Sequence, residues 1–125
     1  MASLHSRPLA VVIEPHPIVA DTVADCLRER GFDVLSVPTH FGAAARVIEH
    51  ERVDFLAAAV PAPGEDRSGA YLAVARLKNP GMAILVMLSD PDESTEDAPL
   101  TAARLVKPFD RQALTHAIDE ARHTA

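Results

Sequence analysis

Three polar residues each follow directly on an apolar stretch of the sequence: Glu14, Ser89 and Lys107. A carboxylate, a hydroxyl and an ammonium group brought together can form an ion pair or bind an anionic ligand near the lysine. The six histidines and the one cysteine show no spacing that is typical of metal ligands. We therefore expect no metal and no other cofactor, and place the chemistry at these three side chains.

The apolar stretches must position these side chains, and their pattern predicts alternating strands and helices. Short unbroken apolar runs are typical of strands that are buried on both faces of a parallel sheet. The predicted strands are Leu9–Ile13, Phe32–Val37, Val53–Val60, Ala83–Leu88 and Arg104–Val106. Apolar residues at helical spacing follow four positions that can begin a helix, which are Pro17, Thr39, Gly69 and Asp110.

Five strands alternating with helices predict a three-layer α/β fold with a doubly wound, five-stranded parallel sheet of flavodoxin-like order 2-1-3-4-5. We predict one domain over residues 8–122, with residues 1–7 and 123–125 as flexible termini. Functional groups in such sheets lie where the strands end, at their carboxyl edge. The residues that close the strands are Glu14, Pro15, Ala59, Val60, Ser89, Asp90, Lys107 and Pro108.

The composition restricts the class of function. The 125 residues carry 18 acidic and 12 basic side chains, a net charge of −6, whereas sequence-independent nucleic-acid binding depends on clustered Lys and Arg. The longest apolar run, Met82–Leu88, is too short to span a bilayer, and residues 1–8 lack the pattern of an export signal. The single Cys26 fits a reducing compartment. We therefore expect a cytoplasmic protein that binds neither nucleic acid nor a membrane.

Several of these residues lie in motifs that resemble a known family, the receiver domains of response regulators, which accept a phosphoryl group in two-component signalling. The resemblance covers roughly residues 8–122 and is most specific at a Lys-Pro-Phe triplet, because the family keeps a Lys followed by a proline, often in cis, after its fifth strand. The matching segments are Ile13-Glu14-Pro15-His16-Pro17, Val53-Asp54-Phe55-Leu56 followed by Pro63-Gly64, Ser89, and Lys107-Pro108-Phe109.

The resemblance implies a chemical role for each position. In the family, an aspartate at the end of the third strand accepts the phosphoryl group and acidic residues after the first strand hold Mg²⁺, while a Lys and a Ser or Thr stabilise the phosphoryl oxygens. In register with these motifs, Glu14 and Pro15 take the acidic positions and Ala59 takes the acceptor position. Alanine accepts no phosphoryl group and Pro15 has no side-chain oxygen. We therefore expect no phosphorylation at the usual position and a poor Mg²⁺ site.

Other carboxylates are poor substitutes for the missing acceptor. Asp54 lies in the same predicted strand as Ala59, but five residues at ~3.3 Å each place it about 16 Å away, at the opposite end of the sheet. Further carboxylates lie in predicted loops, namely Glu65, Asp66, Asp90 and Asp92. None of these is aligned in advance beside both a cation and Lys107. We expect Lys107 to form a structural ion pair with Glu14 instead.

Two departures from the family concern its output. The position three residues before Lys107, which is commonly aromatic and turns inward on activation, is Arg104, and an unpaired arginine is costly to bury. The stretch between Ser89 and Lys107 is shorter than the family norm by about one helical turn. We therefore expect an altered switch and a shortened fourth helix between Pro91 and Pro99.

The sequence leaves three functions open. The first is a non-enzymatic pseudo-receiver that acts in signal transduction by binding a protein partner through residues 100–121 or through its first or last helix, with homodimerisation also open. The second is a phosphorelay receiver that uses a substitute acceptor such as Asp66 or Asp90. The third is a flavodoxin-like binder of a small anion near Lys107, which the absence of a Gly-rich loop after the first strand disfavours.

The negative charge is concentrated in one segment. Five of the 18 acidic residues lie within eight residues that contain no Lys or Arg, namely Asp90, Asp92, Glu93, Glu96 and Asp97. Such a run is usually a solvated loop. It follows Ser89, however, in the part of a receiver domain that changes shape and meets partners. The alternative is an interaction segment for a basic partner, with binding that weakens steeply with salt.

Overall fold

The computed structural model describes residues 7–39, 52–60, 70–90 and 101–124, and the element labels count these residues only. The strands are β1 Leu9–Ile13, β2 Asp33–Val37, β3 Phe55–Val60, β4 Ala83–Leu88 and β5 Ala103–Val106. The helices are α1 Pro17–Glu29, α2 Ala70–Lys78 and α3 Arg111–Thr124.

The five strands form one parallel sheet in the order β2-β1-β3-β4-β5, which confirms the predicted fold class. The central strands are buried along their length because helices cover both faces, as their unbroken apolar sequences predicted. The register aligns the carboxyl ends, pairing Ile13 with Val37 and Leu88 with both Val60 and Val106. The residues that follow β1, β4 and β5 therefore meet at one edge.

The helices divide the core into two halves. On one face of the sheet, α1 and α3 bury residues that include Val23, Leu27, Leu114 and Ile118. On the other face, α2 buries Leu72 and Ala75 against alternate residues of the same strands. Period-two alternation along each strand supplies both halves, so the sheet is the middle of three layers.

Three local signals set the ends of the helices, and two of them, Pro17 and Asp110, were predicted from the sequence. Pro17 is the first residue of α1, and Gly31 follows the helix with a φ of 92°, a conformation that glycine adopts without a steric penalty. At α3, Asp110 Oδ1 accepts a hydrogen bond from the Ala113 backbone N–H at 2.7 Å. This side-chain cap satisfies a donor that the first turn leaves without a helical partner.

Three predicted strand limits were wrong by one or two residues, and hydrogen bonds outside the sheet explain two of them. The predicted strand at 32–37 starts later, because the Phe32 N–H closes the end of α1 on Leu27 O at 3.2 Å. The strand predicted from Val53 also starts later, since the Val53 N–H donates to Asn79 Oδ1 at 2.9 Å. The last strand includes Ala103 as well as Arg104.

Other predictions concern residues outside the described ranges. These are the helix predicted after Thr39, the carboxylates Glu65 and Asp66, and the shortened fourth helix between Pro91 and Pro99. Within the described ranges, no helix has the length and apolar character needed to cross a membrane.

Candidate functional site

Glu14 lies at the carboxyl edge of the sheet, directly after β1. Its backbone N–H donates to Val37 O at 3.1 Å, which extends the pairing of β1 with β2 by one residue. Its side chain is fully buried, and Oε2 accepts a hydrogen bond from the His16 N–H at 3.0 Å. A carboxylate deprived of water needs such donors and a positive charge, because burial without them is costly.

Lys107 follows β5, and its side chain extends past the ends of β4 and β3 to reach Glu14 after β1. Its backbone N–H donates to Leu88 O at 2.7 Å, which fixes the lysine where β5 ends beside β4. The peptide bond between Lys107 and Pro108 is cis, which is the arrangement that the resemblance to receiver domains implied. The side chain of Lys107 is 17% exposed and crosses toward β1.

Lys107 Nζ lies 2.5 Å from Glu14 Oε1, so the ion pair expected from the sequence is present. The pair joins the ends of β1 and β5, between which β3 and β4 lie in the sheet. It neutralises the only side-chain carboxylate among the three positions Glu14, Pro15 and Ala59, and it occupies the ammonium group of Lys107. Neither charge is left uncompensated in the floor of the site.

Ala59 lies between the two members of this pair in the order of the strands. The register pairs Ile13 with Ala58 and Ala59 with Met87, so Ala59 is one residue beyond the last β1–β3 pair, level with Glu14. It is 4% exposed and presents only a methyl group. A side chain without a nucleophilic oxygen stands at the position where the resemblance places the phospho-acceptor.

The residues at this edge do not fit a Mg²⁺ ion. Mg²⁺ requires several oxygen ligands in near-octahedral geometry. Pro15 supplies no side-chain oxygen, Ala59 supplies none, and the carboxylate of Glu14 is already paired with an ammonium group. In the described parts of the chain, no group of three or more His, Cys, Asp or Glu side chains is placed to hold a metal ion.

The remaining candidate residues lie at the surface. Ser89 and Asp90 are exposed directly after β4. Arg104 is also exposed, and its Nη1 donates to Ala102 O at 3.0 Å. The other members of the acidic segment, Asp92, Glu93, Glu96 and Asp97, lie outside the described residues.

Asp54 lies at the opposite edge of the sheet, as its place in the sequence predicted. Its Oδ2 accepts a hydrogen bond from the N–H of Leu9, the first residue of β1, at 3.1 Å. Its Oδ1 accepts one from Arg52 Nε, also at 3.1 Å. Asp54 therefore orders the amino ends of the strands and is separated from Lys107 by the length of the sheet.

Sequence reasoning missed an apolar recess beside the ion pair. The recess has a volume of about 280 Å³ and is lined by Ile18, Val19, Thr22, Lys107, Pro108 and Phe109. Ile18 is 81% exposed at the rim of the recess, while α1 buries its opposite face. The signal in the sequence was Ile18 next to Val19, which places two large apolar residues on different faces of α1.

The architecture is that of solved response-regulator receiver domains. A response regulator from Thermotoga maritima is 19% identical, with a TM-score of 0.76 over 94% of this chain and 99% of that chain. A chemotaxis response regulator from Vibrio cholerae is 17% identical, with a TM-score of 0.74 over 93% of this chain and 99% of that chain. At these identities the comparison establishes the shared fold.

A third solved structure of this architecture contains a phosphorylated aspartic acid. It is a response regulator from Burkholderia pseudomallei with a phosphorylated aspartic acid and a calcium ion, 22% identical, with a TM-score of 0.70 over 89% of this chain and 66% of that chain. No protein-family model and no curated protein matches the sequence.

Proposed function

We propose that the chain is a receiver-like signalling domain that accepts no phosphoryl group at the usual position and acts by binding another protein. The observation that carries the proposal is the buried Glu14–Lys107 ion pair beside Ala59. A phospho-acceptor site needs a nucleophilic carboxylate, a cation and a free ammonium group together. Among the three positions Glu14, Pro15 and Ala59, only Glu14 has a side-chain carboxylate, and it is paired with the ammonium group of Lys107.

The recess next to the ion pair supports the protein-binding part of the proposal. Its walls are mostly apolar, and Ile18 stands at its rim with most of its surface in water. An apolar pocket with a few polar groups at its edge is a common recognition site. In this proposal the domain is not an enzyme, takes no cofactor, binds no nucleic acid and works in the cytoplasm. Its partner is another protein or a second copy of the same chain.

Intact-mass spectrometry tests the loss of phospho-acceptance. The protein is incubated with acetyl phosphate and Mg²⁺, beside the Burkholderia pseudomallei response regulator, whose structure contains a phosphorylated aspartic acid, as a positive control. Transfer of a phosphoryl group adds about 80 Da. We expect the unmodified mass for this chain and an adduct of about 80 Da on the control.

The site of any adduct separates this proposal from the alternative of a substitute acceptor. Asp90 is the described candidate, because it is exposed two residues after β4, at the same edge of the sheet. A stable adduct that peptide mapping places on Asp90, or on Asp66, would establish the phosphorelay alternative and overturn the proposal. A large thermal stabilisation by a nucleotide or flavin would instead support a small-anion binder.

A further inference from the structure

We draw no further inference here: the strongest candidate, the apolar recess between α1 and the turn after β5 with Ile18 exposed at its rim, belongs to the site already described, and nothing in the described part of the chain shows what covers it.

Discussion

Replacing Lys107 by methionine would isolate the buried carboxylate of Glu14 while keeping most of the apolar stem of the lysine. Glu14 would lose an ammonium partner 2.5 Å away and would keep only the hydrogen bond from the His16 N–H at 3.0 Å. Breaking a buried ion pair from one side costs about 3–5 kcal/mol. Domains of this size are stable by about 5–15 kcal/mol. The free energy of unfolding should therefore fall by a large fraction.

Neutralising Glu14, the other member of the pair, should lower the free energy of unfolding by less. Glu14→Gln keeps an oxygen that can accept from the His16 N–H, and the Lys107 side chain, 17% exposed, can turn toward water. We expect a loss of about 1–2 kcal/mol, the size of one unsatisfied polar contact. The double variant removes both charges and should be more stable than Lys107→Met alone. Their coupling energy should be about 2 kcal/mol or more.

Urea unfolding at pH 7 gives the free energy of unfolding of the natural chain, the two single variants and the double variant, with Lys78→Met as the control. Lys78 is exposed in the last turn of α2, so its loss should change the free energy of unfolding by less than about 0.5 kcal/mol. The reasoning is refuted if Lys107→Met costs no more than Lys78→Met, or if the effects of the two substitutions in the cycle simply add. Either result would mean that the contact is screened by water and is not a buried ion pair.

Two further predictions concern acid stability and cation binding. Two hydrogen bonds from Arg30 hold the pKa of Asp119 below its ordinary value of 3.8. The contribution of this pair to the free energy of unfolding is therefore complete above pH 3.8, and it is lost as the pH falls through the lower pKa of the folded state. Because Asp119 is half exposed, Asp119→Asn should cost less than about 1 kcal/mol in urea unfolding at pH 7, and the difference should disappear in acid; a difference that persists there would contradict the pairing. In thermal melts, about 10 mM MgCl₂ should shift the Tm of the natural chain by less than about 1 °C. Mg²⁺ should stabilise Pro15→Asp/Ala59→Asp, which restores two carboxylates beside Glu14, and equal shifts for the two proteins would count against the account of the site.

Local sequence signals were sufficient where the physics is local. The unbroken apolar run of Ala83–Leu88 predicted a strand buried on both faces, and all its residues are buried. Pro17, Gly31 and Asp110 set helix ends because each acts through its own backbone angle or a hydrogen bond to a residue close in the sequence. The strand limits were less accurate, since Val53 donates to Asn79, a partner that local patterns do not specify.

Some properties of the candidate site also follow from residue type alone, and others depend on packing. The absence of a nucleophile at Ala59 and of a side-chain oxygen at Pro15 is a property of residue types, so the sequence determined it directly, once the resemblance had fixed the register. The ion pair between Glu14 and Lys107 could be predicted only because the ends of parallel strands meet at one edge. Its burial and its distance depend on how the helices cover that edge.

The sequence by itself determined the order of the elements and the chemical groups that each strand end carries, because periodicity and residue type are written along the chain. Only the tertiary structure decided which groups from distant segments are in contact and buried from solvent. The recess between α1 and the turn after β5, and the hydrogen bond from the Val53 N–H to Asn79 Oδ1, both arise where separate elements pack together. Packing fixes the distance and the desolvation of such groups, and these two quantities decide the strength of an ionic or hydrogen-bonded contact.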